Sequence, residues 1–171
     1  MKTKITHSDI IEKLKDLAEK HQGIKTSYRW NLNEFDGPVR PGTIFPLMTI
    51  ESPTVEVGNT ESLPFLNYQC AFNILGMDGV YTSDRNDEKA QNTVINNALE
   101  IALESFRKLI QENSIAFNTD GTKNKWYSLL DKLSFQFTKI GPVTSDYLYG
   151  YRCEFVLKSP FCSELTPEKW Q

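Results

Sequence analysis

The run Phe65-Leu66-Asn67-Tyr68-Gln69-Cys70-Ala71-Phe72-Asn73-Ile74-Leu75 decides the fold class. Leu66, Tyr68, Cys70, Phe72 and Ile74 fall on one face at a period of two. Asn67, Gln69 and Asn73 fall on the other, broken only by Ala71. Side chains of a strand point alternately to opposite faces, so this pattern predicts a strand with one dry face and one wet face. A sheet wetted on one side is antiparallel behaviour, and its dry face needs a cover.

Two amphipathic segments are the only candidates for that cover. Upstream, Ile10, Ile11, Leu14, Leu17 and Ala18 recur at helical spacing. Thr6 followed by Asp9 predicts a capping box at the start of this helix, and Lys20, His21 and Gly23 mark its end. Downstream, a long helix is expected from about Asp87 to Asn113. Val94, Ile95, Ala98, Leu99, Ala102, Phe106, Leu109 and Ile110 form its stripe. Asp84, Asp87 and Glu88 suit its positive end, and Arg107 and Lys108 suit its negative end.

The remaining segments read as strands and loops. Ile24–Trp30 and Ile44–Ile50 are expected strands, separated by a loop dense in proline and glycine (Asp36-Gly37-Pro38, Pro41-Gly42). Val55–Gly58 is a further short run. Leu133, Phe135 and Phe137 alternate with Ser134, Gln136 and Thr138, and Gly141-Pro142 is the expected turn. Tyr147, Tyr149, Tyr151, Cys153, Phe155 and Leu157 then line one face of a last strand that Pro160 stops. The expectation is an α+β fold, an antiparallel sheet with an N-terminal helix and one long central helix on one face. Residues 1–160 form a single domain and residues 161–171 a tail.

Size and charge narrow the function. The chain has 171 residues, which suits one domain able to bury a core without disulfides or metal. Its net charge of −3 argues against a protein held to nucleic acid by bulk charge. No apolar run is long enough to span a membrane, and Met1–Thr6 does not open a secretory signal. Three cysteines, Cys70, Cys153 and Cys162, include no Cys-x-x-Cys pair, so neither a disulfide framework nor a zinc knuckle is expected. Cys70 and Cys153 read as small buried thiols in strands.

The residue types that carry chemistry elsewhere have simpler readings in this sequence. Gly37–Gly42 lacks the Gly-Lys-Ser/Thr ending of a phosphate loop. Asp84, Asp87 and Glu88 lack calcium-loop spacing. Only two histidines occur, His7 and His21, both bounding the first helix, and no Gly-x-Ser-x-Gly elbow is present. The aromatic series of the last strand has few basic residues among it, so it reads as core face rather than as a base-stacking platform. Phe161, Leu165 and Trp170 lie beyond the last strand, to fold back on the sheet or to dock on a neighbouring subunit. The loops Asn33–Pro41 and Met77–Asn86 are long for plain connections.

The order of these features resembles the tail-completion or tail-terminator-like structural proteins of tailed bacteriophages and prophages, especially those of Bacteroidetes type. The residues that carry the resemblance are the first helix ending near His21, then Ile44-Phe45-Pro46-Leu47-Met48, then Val57-Gly58-Asn59-Thr60 before the long strand. Asp84-Arg85-Asn86-Asp87-Glu88 opens the long helix, Gly150-Tyr151 sits in the last strand, and Ser159-Pro160-Phe161 closes it. The resemblance implies a non-enzymatic virion component without cofactor or catalytic residue. Such subunits assemble into a homo-oligomeric ring, commonly a hexamer, that terminates the tail tube or joins tail to neck. DNA passes through the lumen without specific binding. Loops and termini contact neighbours, which nominates Phe35, Arg40, Met77, Tyr81, Arg85, Phe161, Leu165 and Trp170 as interface residues. A head–tail connector ring is the nearest alternative. A small-ligand-binding domain, with Tyr68, Phe135 and Tyr151 lining a pocket between sheet and long helix, is the alternative of another class.

Overall fold

The computed structural model describes residues 5–30, 37–60, 63–77 and 88–160, the side chains of residues 59, 60, 63 and 64 excepted. Two helices and six strands follow one another as α1 (His7–Lys20), β1 (Thr26–Arg29), β2 (Leu47–Ile50), β3 (Thr54–Thr60), β4 (Leu63–Gly76), α2 (Glu88–Asn113), β5 (Leu130–Val143) and β6 (Leu148–Pro160). The fold is α+β.

α1 starts as its sequence requires. Thr6 takes an extended conformation, its backbone N–H donates to Asp9 Oδ2 at 2.8 Å, and Asp9 N–H donates to Thr6 Oγ1 at 3.3 Å. The two orphan donors are thus satisfied reciprocally. The stripe Ile10, Ile11, Leu14, Leu17 and Ala18 is buried, and His21 caps the other end by donating to Ala18 O at 3.3 Å. α2 lies antiparallel to α1. Lys13 pairs with Glu112, and eight residues further along α1 His21 meets Glu104 at 2.9 Å, eight residues earlier on α2.

The sheet order is β1-β2-β4-β6-β5, and β3 also pairs with β4. β2 and β3 lie in series along one edge of β4, β2 against Phe72–Leu75 and β3 against Leu63–Gln69. Glu51 N–H donates to Ala71 O at 3.0 Å between them. β6 pairs with β4 from Phe65 to Gly76 on its other edge. The predicted dry face of β4 is dry: Tyr68, Cys70, Phe72 and Ile74 pack with α1, α2, Met48, Ile50, Cys153, Phe155 and Leu157 in one core. Each fully buried side chain of this kind contributes about 1.5–3 kcal/mol.

The structure corrects the sequence reading in several places. The sheet is mixed, because β1 pairs parallel to β2. Residues 30–46 are long enough to return the chain to the same end of the sheet, which a parallel pair needs. The second face of β4 is not wet along its length. Asn73 and Leu75 are fully buried there, and Tyr28, Leu47, Leu75 and Leu148 form a second small core with Trp30, Val39, Phe45, Met77, Ile140 and Val143 packed against it. A few polar side chains within a strand thus concealed a face that is apolar at one end.

Strand limits also differ. β2 begins at Leu47, leaving Ile44 exposed. β5 runs through Gly141-Pro142 to Val143, and the turn is formed by residues 144–147, with Thr144 and Tyr147 at positive φ (64° and 53°). Tyr147 is therefore a turn residue and not part of β6. The alternation of Leu133, Phe135 and Phe137 is broken by a shift in the β5–β6 register between Asp131 and Gln136, and it leaves Leu133 exposed. Arg107 and Lys108 lie before the last turn of α2, which contains no basic residue. Glu88 opens α2, whereas Asp84 and Asp87 fall outside the described residues.

Candidate assembly surface

Of the eight residues nominated as subunit contacts, Phe35, Tyr81, Arg85, Phe161, Leu165 and Trp170 lie outside the described residues. Arg40 and Met77 lie inside them, and each has an intramolecular role. The Arg40 guanidinium stands 4.3 Å from the Tyr28 ring centroid and donates to Arg29 O at 3.1 Å. Met77 is half-buried against the second core.

The side chains offered for a ligand pocket are instead packing groups. Tyr68 is buried and its hydroxyl donates to Ile5 O at 3.0 Å. Burial pushes its phenol above the usual range. Phe135 stacks on Phe155 at 5.1 Å between ring centroids, and Phe137 meets Phe106 edge-on at 5.9 Å. Tyr151 packs against the same core. Cys70 and Cys153 are buried, and desolvation raises both thiols far above their ordinary range, which suppresses the thiolate. Cys162 lies outside the described residues. Among the described residues no group of three His, Cys, Asp or Glu side chains is placed to hold a metal, and no helix is long and apolar enough to cross a membrane.

The exposed apolar side chains were not singled out by the sequence. Val55 and Val57 of β3 pair with Tyr68 and Leu66 and share their face, yet Val57 is 70% exposed. Ile115, Phe117 and Tyr127 are exposed in the loop after α2. Leu133 is 97% exposed.

Leu133 is held out by a built bulge. Its N–H donates to Asp131 Oδ1 at 3.1 Å, and Ser134 Oγ donates to Asp131 O at 2.7 Å. Ser134 Oγ also accepts the Val156 N–H at 2.8 Å, filling the gap that the bulge opens in the β5–β6 ladder. The Lys158 ammonium, 2.8 Å from Asp131 Oδ2, holds that carboxyl below its usual range, with the Leu133 N–H adding to the effect. Bulges re-aim side chains and end pairing, and this one aims a leucine at solvent. The signal in the sequence was Asp131 two residues before Leu133, the spacing of an Asx turn.

Two further clusters are built around polar groups. On the sheet face away from the helices, Asn73 Nδ2 donates to Thr49 Oγ1 and to Glu51 Oε1, both at 3.0 Å. Arg152 clamps Glu51 with two bonds, 2.9 and 3.0 Å, and also pairs with Glu154. On the helix layer, a cleft of about 500 Å³ opens between the end of α1 and the middle of α2. Its walls include His21, Gly23, Glu100 and Glu104, with Ile101 below. His21 Nδ1 accepts the Gly23 N–H at 3.0 Å, which assigns the ring proton to Nε2, facing Glu104.

No family model matches the chain, and no curated protein matches it. The geometry of the sheet edges therefore carries the functional argument.

Proposed function

We propose that the protein is a structural subunit that assembles into a homo-oligomeric ring of a tailed-phage virion, at the end of the tail tube or between tail and neck. One observation carries the assembly part. Apolar side chains stand exposed on two edge strands of a single sheet, Val55 and Val57 on β3 and Leu133 on β5. Monomeric proteins blunt their sheet edges with charge and proline, and exposed apolar groups there suit contact with another chain. Identical subunits joined through two different surfaces generate rings when the rotation closes.

The virion location is supported by the ordered resemblance to tail-completion proteins, from the capped first helix to Ser159-Pro160 at the end of β6. The net charge of −3 suits a conduit that lets DNA pass without gripping its phosphates.

Light scattering of the purified chain, followed by negative-stain imaging of any large species, tests the proposal. The expected result is a closed ring with a central hole. A mass of 19.6 kDa at every concentration, with no ring in the presence of tail or neck components, overturns it.

A further inference from the structure

We infer that β3 of one copy pairs antiparallel with β5 of the next copy, so that one sheet runs on from subunit to subunit, an inference that rests on the ring reading and names the contact that builds it.

The two edges are open. β3 pairs with β4 and β5 with β6, and among the described residues no strand lies on the other side of either. β1, the remaining edge strand, already has a neighbour: Arg40 donates to Arg29 O at 3.1 Å and the Ile44 N–H donates to Thr26 Oγ1 at 2.9 Å. The β3 edge carries none of the usual guards. Its register against β4 is unbroken from Thr54 to Thr60, with no bulge, lysine or proline inside it. Such an edge is a template for another strand, with the main chain supplying the bonds. On β5 the bulge after Asp131 ends regular pairing, which places the shared ladder along Gln136–Ile140.

Strand direction selects the partner. β3, β4, β6 and β5 each run antiparallel to the next, so β3 and β5 point in opposite directions. A second copy set alongside in the same orientation brings its β5 antiparallel to β3 and keeps its helices on the same side of the sheet. The contact joins two different edges, and it therefore repeats from copy to copy as a ring requires.

Charge opposes the like-edge pairings. Glu56 is the one charged residue of β3, whereas residues 132–143 carry Lys132 and Lys139 and no acid. Two β3 edges together, or two β5 edges, bring like charge to like, and β3 on β5 brings unlike charge together.

The apolar faces also match. Val55 and Val57 share the face of Tyr68 and Leu66, yet both are exposed. On the same face of β5, Phe135 and Phe137 meet Phe106 of α2 at 3.8 and 5.9 Å between ring centroids. The next copy thus sets an aromatic cluster, with α2 above it, beside two valines that no helix of their own subunit covers. Valine beside an aromatic ring is a favourable cross-strand neighbour.

Disulfide trapping tests the contact, with Cys162→Ser in every sample and assembly followed by light scattering. Cys70 and Cys153 are buried and do not interfere. Glu56, Gln136 and Thr138 are exposed on the face away from the helices, and β4 and β6 separate Glu56 from the other two within one subunit. Glu56→Cys/Gln136→Cys or Glu56→Cys/Thr138→Cys is expected to give, on mild oxidation, a ladder of covalent oligomers that ends at the ring number. Each single cysteine is expected to give no ladder. Val55→Lys/Val57→Lys is expected to weaken assembly roughly tenfold or more with unchanged circular dichroism. Val55→Thr/Val57→Thr, which keeps the shape of the strand, is expected to weaken it less. An assembled wild type with no ladder from either cysteine pair overturns this contact and leaves the ring reading standing. So does assembly indifferent to both valine variants, or a covalent dimer from Glu56→Cys or Gln136→Cys alone, which would show like edges paired. A chain monomeric at all concentrations overturns the contact and the ring reading together.

Discussion

Asn113 and Leu130 are joined across the loop after α2 by a hydrogen bond of 3.2 Å, from the Leu130 backbone N–H to Asn113 Oδ1. The same amide donates from Nδ2 to Leu109 O at 3.1 Å, and Asn113 O accepts the Ser128 N–H at 2.9 Å. One buried side chain thus ends the long helix and starts β5. This is the cap that the absent basic residues of the last turn do not supply.

Replacing that amide should therefore be costly. Asn113→Ala leaves the Leu130 donor buried and unpaired, and about 1–3 kcal/mol of stability is expected to be lost. Asn113→Asp keeps an acceptor but loses the donor and sets a negative charge at the negative end of the helix. It is expected to be the worse variant at neutral pH and to recover in part on acidification. Urea denaturation midpoints at two pH values check both.

Gly150 is fixed by space. A Cβ there would stand 1.8 Å from Ile74 O on β4, the antiparallel neighbour of β6, so backbone lies against backbone at this point. Gly150→Ala is expected to cost roughly 3 kcal/mol or more, since the strand ladder must separate to admit the methyl group. Gly37, where an added Cβ meets nothing within 4 Å, is the control, and Gly37→Ala should leave the thermal midpoint nearly unchanged.

The thiols of Cys70 and Cys153 should be inert in the folded protein. Both are buried, and desolvation raises both well above the ordinary thiol range. Peptide-level mapping after alkylation at neutral pH is expected to show neither modified in native buffer and both modified in denaturant. Rapid native labelling of either would contradict the packed interface between β4 and β6.

Acid should weaken the fold through two carboxyls. The Lys125 ammonium, 2.5 Å away, holds Asp9 below its usual range, and Lys158 does the same to Asp131. A group depressed in the folded state contributes stability above its unfolded value and loses it as pH falls through the folded one. The loss is therefore expected below about pH 4, the ordinary carboxylate range. Both carboxyls are only part-buried, so screening by salt should shrink the effect. Between about pH 5 and pH 2, Asp9→Asn/Asp131→Asn is expected to lose less of its urea midpoint than the wild type.

Much of the architecture was legible because its signals are local. Thr6 and Asp9 are three residues apart and cap a helix whatever surrounds them. The period of β4 and the stripe of α2 each lie within one segment, so the α+β class, the helix-covered face and the buried Cys70 and Cys153 follow from pattern alone. The burial of Asn73 did not follow. Its partners Thr49 of β2 and Glu51 just after it lie more than 20 residues away, and asparagine reads as wet until they are in place.

The candidate surface was the least legible part, and the reason is physical. Leu133 sits in an alternating run and reads as core, but Asp131 and Ser134 divert the backbone so that the leucine leaves the sheet. Val55 and Val57 read only as part of a short run, and the folded chain leaves both exposed. The sequence by itself determined the two helices with their apolar stripes and the helix-side face of β4, because backbone periodicity and capping act over a few residues. The tertiary structure alone decided the parallel β1–β2 pair, the second core and which apolar side chains remain outside. Register and cover are settled between segments distant in the chain, where local preference has no purchase.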